Sequence, residues 1–103
     1  MKRLDDCFGR KVRLTDERLA HILEHPEMRG LAAAVERVLR RPELVRRSRS
    51  DPAVRLFYEY RDDTPMGGKW LSVVVKYAGD DAFVVTAYLT DKPKDGEDLW
   101  STR

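Results

Sequence analysis

The stretch Trp70 to Thr90, WLSVVVKYAGDDAFVVTAYLT, decides the fold. Two runs of β-branched and aromatic residues flank Gly79-Asp80-Asp81, which has the composition of a tight hairpin turn. Leu71, Val73, Val75 and Tyr77 alternate in the first run, and Phe83, Val85, Ala87 and Leu89 alternate in the second. A period of two marks strands with one buried face. The polar residues Ser72, Lys76, Thr86 and Tyr88 fall between, and the hairpin register decides where they point. With a three-residue loop, Gly79 to Asp81, Val74 faces Thr86, Ser72 faces Tyr88, and all four polar residues share a face. With a two-residue loop the register slips by one and the two polar sets part. The first option is preferred, because it gathers Leu71, Val73, Val75, Phe83, Val85, Ala87 and Leu89 on one apolar face. The second mixes Lys76 with Phe83 and Val85.

Working outward, Val54 to Arg61 is a further strand, with Val54, Leu56, Tyr58 and Tyr60 on one face. A turn rich in acids, proline and glycine, Asp62 to Gly68, joins it to the hairpin. Leu44 to Ser48 is a short strand. Before it the period changes to that of a helix. Leu31, Val35, Val38 and Leu39 form the apolar stripe of a helix from about Leu31 to Arg40, closed by Pro42. An earlier helix runs from about Asp16 to Glu24. Thr15 caps it, Asp16 and Glu17 suit its N-terminal dipole, and Pro26 ends it. Lys11 to Leu14 reads as a short strand or arm, and residues 1–9 as a loose lead-in. The tail after Asp91 is polar until Leu99 and Trp100, which can dock back on the body. The fold expected is therefore α+β: two N-terminal helices packed on one face of a four-stranded antiparallel sheet.

The 103 residues suit one domain with a real core, at 42% hydrophobic and 37% charged. One cysteine, Cys7, forms no disulfide within the chain, so a reducing, cytoplasmic setting is expected. No run is long and apolar enough to span a bilayer, and the N-terminus has no signal-peptide character. No membrane partner is expected. The net charge of +2 is uneven: residues 1–61 carry +5 and residues 62–103 carry −3. The densest basic run contains Arg37, Arg40, Arg41, Arg46, Arg47 and Arg49. It reads either as the footprint of a polyanion or as a solvated helix face followed by an exposed strand.

Chemistry-bearing residues are few. The first helix sets Arg18, His21 and His25 on one stripe. Histidine is the usual general base near neutral pH. The i, i+4 spacing of His21 and His25 lacks the glutamate placement of a metalloprotease helix and has no third ligand, so neither metal nor cofactor is expected. On the hairpin, Lys76, Thr86 and Tyr88 read either as ordinary solvent-facing residues or, near a histidine, as a phosphodiester site. There the cation would hold the phosphate and the hydroxyls would orient it.

Three segments carry a resemblance: LTDERLAHILEHPE from Leu14 to Glu27, LSVVVK from Leu71 to Lys76, and FVVTAYLTD from Phe83 to Asp91. From about Arg13 to Trp100 the chain resembles phage-associated and bacterial nuclease-like domains of the barnase, EndoU, colicin and RelE superfamily. The resemblance implies helices followed by a four-stranded antiparallel sheet, and a metal-independent, toxin-like endoribonuclease in which the RNA 2′-hydroxyl attacks the adjacent phosphate. It implies His21 as general acid or base, Lys76 as the cation on the phosphorane, and Thr86 and Tyr88 as the polar positions of the last strand. Trp100 matches a tryptophan near the end of such domains. Arg18, Arg37, Arg40, Arg41, Arg46 and Arg47 would hold the RNA backbone. A cognate antitoxin or immunity protein is the further partner it implies. The alternative is a non-catalytic module of the same fold that binds nucleic acid or protein.

Overall fold

The computed structural model describes residues 1–102. The hairpin that decides the fold lies in the middle of a larger sheet. Strands β1 (Lys2–Asp5) and β2 (Lys11–Leu14) come first, followed by helices α1 (Asp16–Leu23) and α2 (Ala32–Arg40). Then come β3 (Leu44–Arg47), β4 (Val54–Thr64), β5 (Gly67–Ala78), β6 (Asp81–Thr90) and β7 (Glu97–Ser101). The order across the sheet is β1-β2-β6-β5-β4-β3-β7. β2 pairs with β6 in parallel, while the other neighbours are antiparallel.

This corrects the expected architecture. A four-stranded antiparallel sheet behind two N-terminal helices is replaced by a seven-stranded mixed sheet, with two short helices inserted between β2 and β3. The lead-in residues form an edge strand, and the tail forms the opposite edge. Local alternation in both segments is too short to show this. Their pairing partners lie far away in sequence, and those partners make them strands.

α1 begins where Thr15 accepts a hydrogen bond from the Arg18 N–H at 3.0 Å, and it ends as His25, before Pro26, turns extended. Ile22 from α1 and Val35, Val38 and Leu39 from α2 pack with Val45, Phe57, Leu71, Val73, Val75, Val84 and Ala87 in one core. The helices therefore cover a single face of the sheet. That sheet curls until Phe8, in the β1–β2 loop near one edge, meets Trp100 of β7 at the other, ring centroids 5.9 Å apart. Buried Asp6 fixes this loop. It accepts from the Phe8 and Arg10 N–H groups at 2.9 and 2.8 Å and from the Tyr77 hydroxyl at 2.7 Å. The Arg55 guanidinium lies between the Phe8 and Tyr77 rings, 4.7 and 4.2 Å from their centroids.

The hairpin combines both registers considered from sequence. Ala78 pairs with Asp81 across a two-residue turn, in which Gly79 takes φ +59°. A bulge then restores the other register, so that Val75 faces Val84 while Val74 faces Thr86. Val85 is the extra residue. The expected apolar face needs correcting at two positions. Ala82 and Val84 occupy the core in place of Phe83 and Val85, which are only half-buried. Beyond the bulge, Ala87 and Leu89 return to the core side as expected.

Candidate functional site

Because residues alternate along a strand, the face away from the helices carries Trp70, Ser72, Val74 and Lys76 of β5. From β4 it carries Leu56, Tyr58 and Tyr60, and from β6 Thr86 and Tyr88. Tyr58, Ser72 and Tyr88 stand side by side across three strands. The segment between β6 and β7 passes over this face, since its ends lie on opposite sides of β5, β4 and β3. The Lys94 N–H donates to the Tyr58 hydroxyl at 3.1 Å, and Arg46 donates to the Lys94 carbonyl at 2.8 Å. Lys69 adds an ion pair to Asp91. This strap explains why Leu56 and Tyr58 are buried on a face that no helix covers. Burial pushes the Tyr58 hydroxyl pKa up, against the pull of the Lys94 N–H.

Two cavities flank the strap. The larger, about 400 Å³, has Leu56, Val74, Thr86 and Tyr88 as its floor. Its walls are the β3–β4 turn, Ser48 to Asp51, and strap residues Lys94 and Asp95. Lys76 stands beside it, with Nζ 3.0 Å from Asp51. That hydrogen bond, with one from the Ala53 N–H, holds the Asp51 carboxyl below its usual range. Tyr88 Oη is buried without a hydrogen-bond partner among the described residues. The smaller cavity, about 320 Å³, lies on the other side of the strap against Trp70 and Pro93.

Lys76, Thr86 and Tyr88 are therefore brought together around one groove. His21 is not. It projects from α1 on the helix side, exposed, with Nδ1 3.4 Å from Glu24, in a shallow depression with Thr15, Glu17 and Arg18. The sheet lies between His21 and Lys76, so the two cannot meet on one phosphate. The reason is geometric: α1 must turn Ile22 into the core shared with Val73, Val75 and Val84, while Lys76 points to the opposite face of the sheet.

The arginine run is dispersed as well. Arg37 pairs with Glu59 at 2.7 Å, Arg46 with Asp98 at 2.8 Å, and Arg47 with Glu97 at 2.9 Å. Arg18, Arg40 and Arg41 are exposed and make no ion pair among the described residues. Arg49 lines the groove. Cys7 is half-buried, and burial pushes its thiol up to about 11, which disfavours the nucleophilic thiolate.

Sequence reasoning missed Ser48, Ser50, Asp51, Lys94 and Asp95 as groove residues. Sequence alone reads Ser48 as the end of a strand and gives Arg49 to Ala53 no structural element, although Asp51, whose side chain accepts from the Ala53 N–H two residues on, has the composition of a turn. The strap gave no such signal. No protein-family model matches the chain, and no curated protein or solved structure matches it either.

Proposed function

We propose that the domain is a metal-independent endoribonuclease that works from the groove on the open face of the sheet. One observation carries this reading. Thr86, Tyr88 and Arg49 line a single cavity of a ligand site's dimensions, and Lys76 stands at its side through its ion pair with Asp51. In this scheme Lys76 and Arg49 stabilise the charge that grows on the phosphorane, and the Thr86 hydroxyl orients the phosphate. The 2′-hydroxyl attacks the adjacent phosphorus and passes its proton to a groove carboxylate. Of the two that line the groove, Asp51 is held ionised by Lys76, which leaves Asp95 for this role. The 5′-oxygen leaves and takes up a proton from solvent water, giving a 2′,3′-cyclic phosphate and a 5′-hydroxyl end, and the groove carboxyl returns its proton to solvent. His21 has no part in this.

The purified protein is expected to cut single-stranded RNA in excess EDTA. Lys76→Ala and Thr86→Val should each lower the rate at least ~10-fold, while His21→Ala should leave it unchanged. Loss of cleavage in His21→Ala alone would overturn the open-face site. A second reading, a non-catalytic nucleic-acid- or protein-binding module, is favoured by the absence of a histidine from the groove. It predicts salt-sensitive RNA binding with no cleavage, weakened by Arg49→Glu.

A further inference from the structure

The strap, residues 91–96, lies outside every helix and strand, and Asp91, Lys92, Lys94 and Asp95 are exposed. Polar contacts tie it down. Asp91 pairs with Lys69, the Lys94 N–H donates to the Tyr58 hydroxyl at 3.1 Å, and Arg46 donates to the Lys94 carbonyl at 2.8 Å. Contacts of this kind at a wet surface are individually weak, because water competes for each partner. At its far end the strap meets β3 closely: a Cβ at Gly96 would overlap the Arg47 carbonyl oxygen.

The surface under the strap is polar. Tyr58 and Ser72 are fully buried, and Tyr88 Oη is buried with no hydrogen-bond partner among the described residues. The register sets Tyr58 opposite Ser72 and Ser72 opposite Tyr88, so three hydroxyls form one row across β4, β5 and β6. Tyr88 also belongs to the groove floor, so the row continues the groove beneath the strap. A buried hydroxyl without a partner destabilises the covered state, and a ligand or water that reaches it removes that penalty. Asp95, the carboxylate that takes the 2′-hydroxyl proton in the scheme above, is carried by the strap itself.

We propose that the strap is a gate on the groove. Lifted, it uncovers the Tyr88, Ser72 and Tyr58 row, whose hydroxyls then bind the phosphate and sugar oxygens of an extended strand. Lowered, it returns Asp95 to the groove for the chemistry. The role of Asp95 rests on the ribonuclease reading above, but strap motion and strand binding can be measured without cleavage.

The probe is a single-stranded deoxyoligonucleotide, which has no 2′-hydroxyl and so cannot be cut by this route. In the full chain, the Lys94 amide should exchange at least ~10-fold faster than amides of β5. Lys69→Met frees one end of the strap and Gly96→Ala pushes up the other. Each should speed Lys94 exchange further and tighten deoxyoligonucleotide binding by ~3-fold or more, because a larger open fraction lowers the apparent Kd. In Lys69→Met this gain runs against the loss of a cation, which alone would weaken binding to a polyanion. Lys69→Met also keeps the test open should Gly96→Ala disturb the pairing of β3 with β7. In RNA cleavage the variants should lower KM and kcat together, since Asp95 is in the groove for less of the time.

A Lys94 amide that exchanges as slowly as those of β5 would overturn the gate, as would unchanged or weaker deoxyoligonucleotide binding in both variants. RNA cleavage by the wild type, run in parallel, separates the two ideas. Cleavage with no gain of binding in either variant removes the gate and leaves the nuclease. Faster strap exchange and tighter binding in the variants, with no cleavage of RNA, keep the gate and remove the nuclease.

Discussion

The two faces of the sheet are built by the same strands under different constraints. Toward the helices, Leu71, Val73 and Val75 are fully buried in a continuous apolar core. Away from them, the neighbouring positions Ser72, Val74 and Lys76 lie on a face that a strap crosses only in part, leaving a cavity on each side. A closed face is held by packing, which tolerates little change in volume. A face covered by one strap is held by a few hydrogen bonds and ion pairs, so it is free to carry polar residues and a groove. The bulge at Val85 lets the hairpin serve both faces. It hands Val84 and Ala87 to the core while keeping Thr86 and Tyr88 together on the other side.

The largest break in this contrast should come from Leu71→Ala, which opens a cavity in the closed face and should cost about 2–5 kcal/mol in denaturant unfolding. Thr86→Val, on the open face, should change stability by less than ~1 kcal/mol while removing a groove hydroxyl. Equal losses would dissolve the distinction between the faces. Next is Tyr77→Phe. It takes one of three donors from buried Asp6 and should cost about 1–3 kcal/mol. Tyr58→Phe should cost about 1 kcal/mol, because the Lys94 N–H loses its partner. It should also raise amide exchange in residues 91–96 more than in the core strands. Uniform exchange would mean that the strap is not a separate unit.

The smallest effect concerns Asp51. Its carboxyl titrates below the ordinary 3.8 because Lys76 and the Ala53 N–H bind its charged form. The stabilisation from this pair is complete above that unfolded-chain value and is lost as the pH falls through the lower folded value. Carboxylate NMR should show the Asp51 midpoint rising toward 3.8 in Lys76→Met. No movement would remove Lys76 as the cause.

Much of the fold was legible locally. Both helices and the strands from Leu44 to Thr90 follow from periodicity, caps and turn residues, with ends shifted by a few residues. The grouping of Thr86 and Tyr88 with Ser72 and Lys76 was legible from the preferred pairing of Val74 with Thr86, which the structure contains. The argument behind that preference was less sound, since it assumed one register throughout and so put Phe83 and Val85 in the core. His21 misled for a different reason. Its stripe on α1 reads as a polar helix face, and nothing in the local pattern states on which side of the sheet that helix will lie.

By itself, the sequence determined the elements and the alternation along each strand, because those depend on residues within a turn or two of one another. Only the tertiary structure decided that β1 and β7 join the sheet and that the strap crosses its open face. It also decided that Lys76 and His21 end on opposite sides. Each of these depends on pairing or packing between residues distant along the chain, such as Val45 with Trp100 or Tyr58 with Lys94. That pairing is selected by how all the apolar faces can be buried together, a condition no local stretch contains.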